Sequence, residues 1–149
     1  MHAASSSSDY RVTEQVGHLL RRAYQRHMAI FQSVVPESRL SAVQFVVLCT
    51  VCDRPGATIH DIVAATALDE PAVRGIAERL KWSDLLTMEH EPGDKRQARV
   101  TLTEQGRRMV EETKPHAQQI SDLTFGDLDA GERQQLVALL RRVSGVDAA

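Results

Sequence analysis

Between Thr58 and Leu102 the spacing of the apolar residues changes once, from three-and-four to two. Val73, Ile76, Ala77 and Leu80 make the stripe of an amphipathic helix, with Arg74, Gly75, Glu78, Arg79 and Lys81 on its other side. After it, Leu86, Met88 and His90 alternate with Thr87, Glu89 and Glu91. Ala98, Val100 and Leu102 alternate with Gln97, Arg99 and Thr101. These are two short strands, joined by a turn with a charged tip, Pro92-Gly93-Asp94-Lys95-Arg96. Upstream, Thr58 opens a short helix with Asp61 at capping-box distance, and Ile59, Ile62 and Val63 turn inward. Thr66-Ala67-Leu68 is a tight break, Asp69 is an N-cap, and Pro71 fits the first turn of the next helix.

Helices flank this unit on both sides. Val12, Val16, Leu19, Leu20, Ala23, His27, Ile30, Phe31 and Val34 form one face of a long helix that Pro36 ends. Ser41 caps a second helix carrying Phe45, Leu48, Cys49 and Cys52, stopped by Pro55-Gly56. Thr103 caps a fifth helix that runs through Met109, Val110, Thr113, Ala117 and Ile120, with a kink at Pro115. Asp129 and Glu132 open a last helix carrying Leu136, Val137, Leu139, Leu140 and Val143. The chain has no internal repeat. Residues 1–8 read as a disordered lead-in and residues 9–149 as a single domain.

With 149 residues, 42% hydrophobic and 26% charged, the chain has globular composition. Its net charge of −2 excludes retention on nucleic acid by overall charge but leaves room for a local basic patch. Aromatics at 4% are too few for a single-strand stacking surface. There is no long apolar run and no signal-peptide core, so a soluble cytoplasmic protein is expected.

Two short helices across a tight turn, followed by a hairpin, predict a winged helix-turn-helix. The expected class is mainly α with a small β-hairpin wing. The second helix of the pair suits the major groove of double-stranded DNA, about 12 Å wide, and the hairpin tip suits a neighbouring phosphate or the minor groove. The charges agree. From Asp94 to Arg108, five cations (Lys95, Arg96, Arg99, Arg107, Arg108) stand against Asp94 and Glu104. Arg74, Arg79 and Lys81 add cations on the second helix.

Leu85-Leu86, Pro92-Gly93-Asp94-Lys95-Arg96 and Leu102-Thr103-Glu104-Gln105-Gly106 resemble, in order and spacing, the wing signature of MarR-family transcriptional regulators. Leu40-Ser41-Ala42-Val43-Gln44-Phe45 and the stretch from Ile62-Val63-Ala64 to Leu68-Asp69 are similar as well. The resemblance spans roughly residues 10–145. It implies a homodimeric regulator released from an inverted-repeat operator by a small effector. The DNA-binding winged helix would span 41–102, between dimerisation helices over 9–35 and 103–146. By analogy Asp94 braces the wing and Arg96 enters the minor groove. The start of the recognition helix, Asp69-Glu70-Pro71-Ala72-Val73-Arg74-Gly75, is more acidic than the family pattern, and Asp84 stands where the family has Gly.

The resemblance also implies an anionic, aromatic effector, and the residues place it between the first two helices and the DNA-binding lobe. His27 is the polar residue at the centre of that helix's apolar face, flanked by Tyr24 and Arg26. Phe31 offers a flat wall and Cys49 an opposite side, while Arg26 or protonated His27 offers a charge for a carboxylate. A histidine satisfied within the core is the competing reading of His27.

Cys49 and Cys52 form a Cys-x-x-Cys pair, which keeps a thiol-based redox regulator as an alternative. A winged-helix adaptor between proteins, without DNA binding, is a second. Trp82 reads as a packing residue. The six histidines have no strong metal spacing. No nucleophile set, phosphate loop or carboxylate pair appears, so no enzyme, metal or cofactor is expected.

Overall fold

The computed structural model describes residues 9–35, 40–91 and 93–146, with the side chains of residues 91 and 94–97 outside the description. The expectations for residues 1–8 and for Pro36 therefore fall outside the described residues. Among the described residues seven α-helices and three strands follow in the order α1 (Val16–Val34), α2 (Ala42–Asp53), β1 (Ala57–Thr58), α3 (Ile59–Thr66), α4 (Glu70–Trp82), β2 (Leu86–Glu91), β3 (Asp94–Leu102), α5 (Glu104–Thr113), α6 (Ala117–Phe125) and α7 (Ala130–Ser144).

The local chemistry explains most boundaries. Ser41 and Gln44, Thr58 and Asp61, and Asp129 and Glu132 make reciprocal capping boxes at the starts of α2, α3 and α7. Asp69 accepts from the Ala72 amide at the start of α4, and Thr103 accepts from Gly106 at the start of α5. Ala67 closes α3 with φ 57°, and Asp84 takes φ 60° before β2, a geometry that Asp tolerates.

Three expectations are corrected. The first helix starts at Val16, because Val12–Glu14 is a separate 3-10 turn and Gln15 is extended. The fifth helix is two helices, because Pro115 lies in a 3-10 turn, Lys114–His116, that divides α5 from α6. Its ring removes one amide and crowds the preceding turn. The hairpin is part of a three-stranded antiparallel sheet in the order β1-β3-β2. Ala57 pairs with Val100 and Thr58 with Arg99, a two-residue strand too short to leave a period in the sequence.

Two clusters hold the chain together. The larger gathers Leu40, Val47, Leu48 and Val51 with Ile59 and Ile62, Val73, Ala77 and Leu80, Leu86, Val100, Leu102 and Val110. Each fully buried Leu or Ile contributes roughly 1.5–3 kcal/mol. The sheet register puts Leu86 opposite Leu102 and Met88 opposite Val100 on the inner face. His90, opposite the buried Ala98 on the same face, is exposed. The smaller cluster, Phe31, Val35, Ala42 and Ile120, joins α1, α2 and α6, with Phe45 packed against both clusters.

The terminal helices bury little. α7 has no buried residue, and Leu136, Val137, Leu139, Leu140 and Val143 are all exposed. Val16, Leu19 and Leu20 at the start of α1 are exposed too. The apolar stripes read from the sequence are present but uncovered within one chain, which is how a surface for a second copy looks.

Candidate functional site

α3, the left-handed turn at Ala67 and α4 form a helix-turn-helix, with β2 and β3 as the wing. α4 buries Val73, Ala77 and Leu80 and turns Arg74, Arg79, Lys81 and Trp82 to solvent. Trp82 is 84% exposed, so its expected packing role is not met within the chain. Arg74 is held by Glu70 one turn earlier, its Nε and Nη2 donating to Oε1 at 3.1 and 2.7 Å. The acidic start of the helix thus pins this cation, whereas Arg79 and Lys81 lie in the last turn. Arg99 on β3 is exposed and donates to the Gly56 carbonyl at 3.2 Å.

His90 pairs with Ala98 but Glu91 pairs with Asp94, so Lys95, Arg96 and Gln97 are three extra residues on β3. The two wing cations occupy a bulge, a device that re-aims side chains at strand ends. The side chains of Asp94, Lys95 and Arg96 themselves lie outside the described residues.

A second feature lies where the helices from the two ends of the chain meet the DNA-binding lobe. A cavity of about 170 Å³ is lined by Tyr24, His27 and Phe31 from α1, Ala42, Phe45 and Val46 from α2, and Ala117, Ile120 and Ser121 from α6. The Phe31 and Phe45 rings sit 5.7 Å apart, and Tyr24 stacks on His27 at 6.3 Å. His27 is half-buried, with Nδ1 2.9 Å from Thr124 Oγ1.

Of the five residues expected at an effector site, the structure thus brings Tyr24, His27 and Phe31 together and leaves two aside. Arg26 donates to the Thr124 and Leu123 carbonyls, both at 2.7 Å, closing the C-terminal end of α6. Cys49 packs against the winged-helix core, as does Cys52, and both are free thiols, half-buried. Burial pushes the Cys49 thiol up to about 11, so it is protonated and slow to react near neutral pH. The α6 wall was not anticipated, and the α2 wall was expected through Cys49 whereas Ala42, Phe45 and Val46 form it; Phe45 and Ile120 nevertheless carried apolar signals. Asp61 is held below the usual carboxylate range by the Thr58 amide and hydroxyl, which reflects its capping role.

A helix-turn-helix with a cationic wing defines a DNA-binding protein of the winged-helix class. No family model matches the chain. It is 45% identical over 145 residues to the HTH-type transcriptional repressor NicR of Pseudomonas putida, covering 97% of this chain and 92% of that protein. Among solved structures it is similar to BpsR of Bordetella bronchiseptica, whose DNA binding is regulated by 6-hydroxynicotinic acid. The two share 52% identity and a TM-score of 0.86, over 91% of this chain and 98% of that one. PcaV of Streptomyces coelicolor, solved with its natural ligand, shares 25% identity and a TM-score of 0.82 over 91% and 96% of the two chains.

The chain belongs to the MarR family of transcriptional regulators. It is accordingly a ligand-responsive, DNA-binding regulator that works as a dimer, and not an enzyme. No helix among the described residues is long and apolar enough to cross a membrane.

Proposed function

We propose that the chain is a cytoplasmic repressor that leaves an inverted-repeat operator when a small hydroxylated aromatic acid fills the cavity between α1, α2 and α6. The observation that carries this is the position of the cavity. Its walls come from the helices of the two chain ends and from α2 of the DNA-binding lobe. A ligand there sets the angle between lobe and dimer, and with it the spacing of the two recognition helices, provided it prefers the DNA-incompetent state. The effector class is taken from BpsR, whose regulator is 6-hydroxynicotinic acid.

In this reading residues 41–102 hold the DNA, with 9–35 and 103–146 making the dimer. Arg79 and Lys81 on α4, Lys95, Arg96 and Arg99 on β3, and Arg74 once released from Glu70 contact DNA. Asp94 braces the wing. Two subunits present their recognition helices about one DNA turn apart, ~34 Å. Tyr24, His27, Phe31 and Phe45 hold the effector. Arg26 serves α6, and the protonated Cys49 weighs against a thiol switch that starts at Cys49. Retardation of DNA from upstream of its own gene, with and without 6-hydroxynicotinic acid, tests the reading. Release of the DNA together with a raised melting temperature supports it. No retardation, or retardation indifferent to aromatic acids, refutes it.

A further inference from the structure

Thr124 has one hydroxyl proton to give. Its Oγ1 lies 2.7 Å from the Ile120 carbonyl, one turn back along α6, and a carbonyl only accepts. The proton is therefore committed to Ile120. The same oxygen is 2.9 Å from His27 Nδ1, and with its proton spent it accepts. His27 must then carry a proton on Nδ1. In the neutral ring that makes Nε2 an acceptor. Among the described residues Nε2 has no hydrogen-bond partner, and the ring lines the cavity.

The rest of the lining sharpens the point. It contains no Lys or Arg. Arg26, next to His27, spends its guanidinium on the Leu123 and Thr124 carbonyls. Besides His27 the polar side chains of the lining are the uncharged hydroxyls of Tyr24 and Ser121, and a carboxylate against the Nε2 lone pair is repelled unless a proton is taken up.

We propose that Thr124 fixes the tautomer of His27, and that Nε2 of His27 therefore recognises a hydrogen-bond donor on the effector ring, a hydroxyl or lactam N–H, with the carboxylate turned away. This rests on the reading of the cavity as the effector site. Thr124 is a positioning residue that selects effectors without touching them.

Three probes separate the groups on the ligand: 6-hydroxynicotinic acid carries donor and carboxylate, nicotinic acid only the carboxylate, and 2-hydroxypyridine only the donor. Calorimetry on the full-length dimer should show 6-hydroxynicotinic acid binding roughly tenfold or more tightly than nicotinic acid. 2-Hydroxypyridine should retain measurable affinity. Thr124→Val should erase that preference, weakening 6-hydroxynicotinic acid without weakening nicotinic acid, and Thr124→Ser should keep it. Nitrogen NMR of labelled histidine should find His27 protonated at Nδ1 in the wild type and shifted towards the Nε2-protonated form in Thr124→Val. The NMR measurement and the serine variant keep the test decisive if the valine variant folds poorly. Equal affinity for the two acids, a preference that survives Thr124→Val, or uptake of a proton with 6-hydroxynicotinic acid would overturn the proposal while leaving the effector reading intact. Failure of every probe to bind the wild type would remove both.

Discussion

The backbone carbonyl of Leu85 occupies the space that a Cβ on Gly106 would need. The same carbonyl accepts from the Thr103 amide at 3.1 Å, and Thr103 Oγ1 donates to the Asp84 carbonyl beside it. The root of the wing and the start of α5 are thus stapled together, and only glycine permits the approach. The DNA-binding lobe therefore meets the helices that follow it through a rigid joint at this corner.

Gly106→Ala should destabilise the protein by about 3 kcal/mol, since the clash is with backbone and cannot be relieved by a rotamer change. Chemical denaturation reads this directly. A loss smaller than about 1 kcal/mol would mean that the joint yields.

Leu140→Glu should convert the dimer to monomer at micromolar concentration and abolish operator binding. Leu140 is exposed on α7, whose other large apolar residues are equally uncovered. Sedimentation measures the mass and circular dichroism the helix content. A variant that remains dimeric would move the interface elsewhere.

Arg96→Ala should lower the salt dependence of operator affinity by about one counterion per subunit. Arg79→Ala should do the same on the recognition helix. Arg74→Ala should cost less, because Arg74 gives up its contact with Glu70 before it can reach DNA. Affinity measured across a salt series would show three equal slopes if this ordering is mistaken.

Cys49 should alkylate with a midpoint near pH 11 rather than 9, because burial disfavours its thiolate. The sign for stability follows. The folded state holds this proton to higher pH than the unfolded chain, so the contribution is intact below about pH 9 and is lost as pH rises through 11. Rapid labelling of Cys49 at pH 7, or oxidant-triggered operator release that Cys49→Ser abolishes, would revive the thiol reading.

Arg26→Ala should lower stability by roughly 1–2 kcal/mol, since two charge-assisted bonds to the end of α6 disappear. Affinity for 6-hydroxynicotinic acid should change no more than about threefold, well under 1.4 kcal/mol, if Arg26 acts only on the helix end. A hundredfold loss of that affinity in an otherwise folded variant would restore it as a ligand group.

The sequence made the winged helix-turn-helix readable because its elements are amphipathic and capped. Asp69 and Thr103 act as N-caps where the pattern puts them, and the pairing of Met88 with Val100 follows the alternation. β1 was not readable, because two residues carry no period. Arg26 and His27 were both visible on α1, yet only the fold shows that one closes a distant helix while the other lines a cavity. Thr124 left no signal at all. Its role depends on lying one turn after Ile120 and beside His27, which is 97 residues away.

α7 begins with a full capping box and buries nothing. Within one chain Arg133 ties the first turn of the helix to Asp122 of α6 at 2.9 Å, while the apolar stripe finds no cover. Covering that stripe and pairing two chains are therefore one event, and the stability of the helix depends on the concentration of the chain itself.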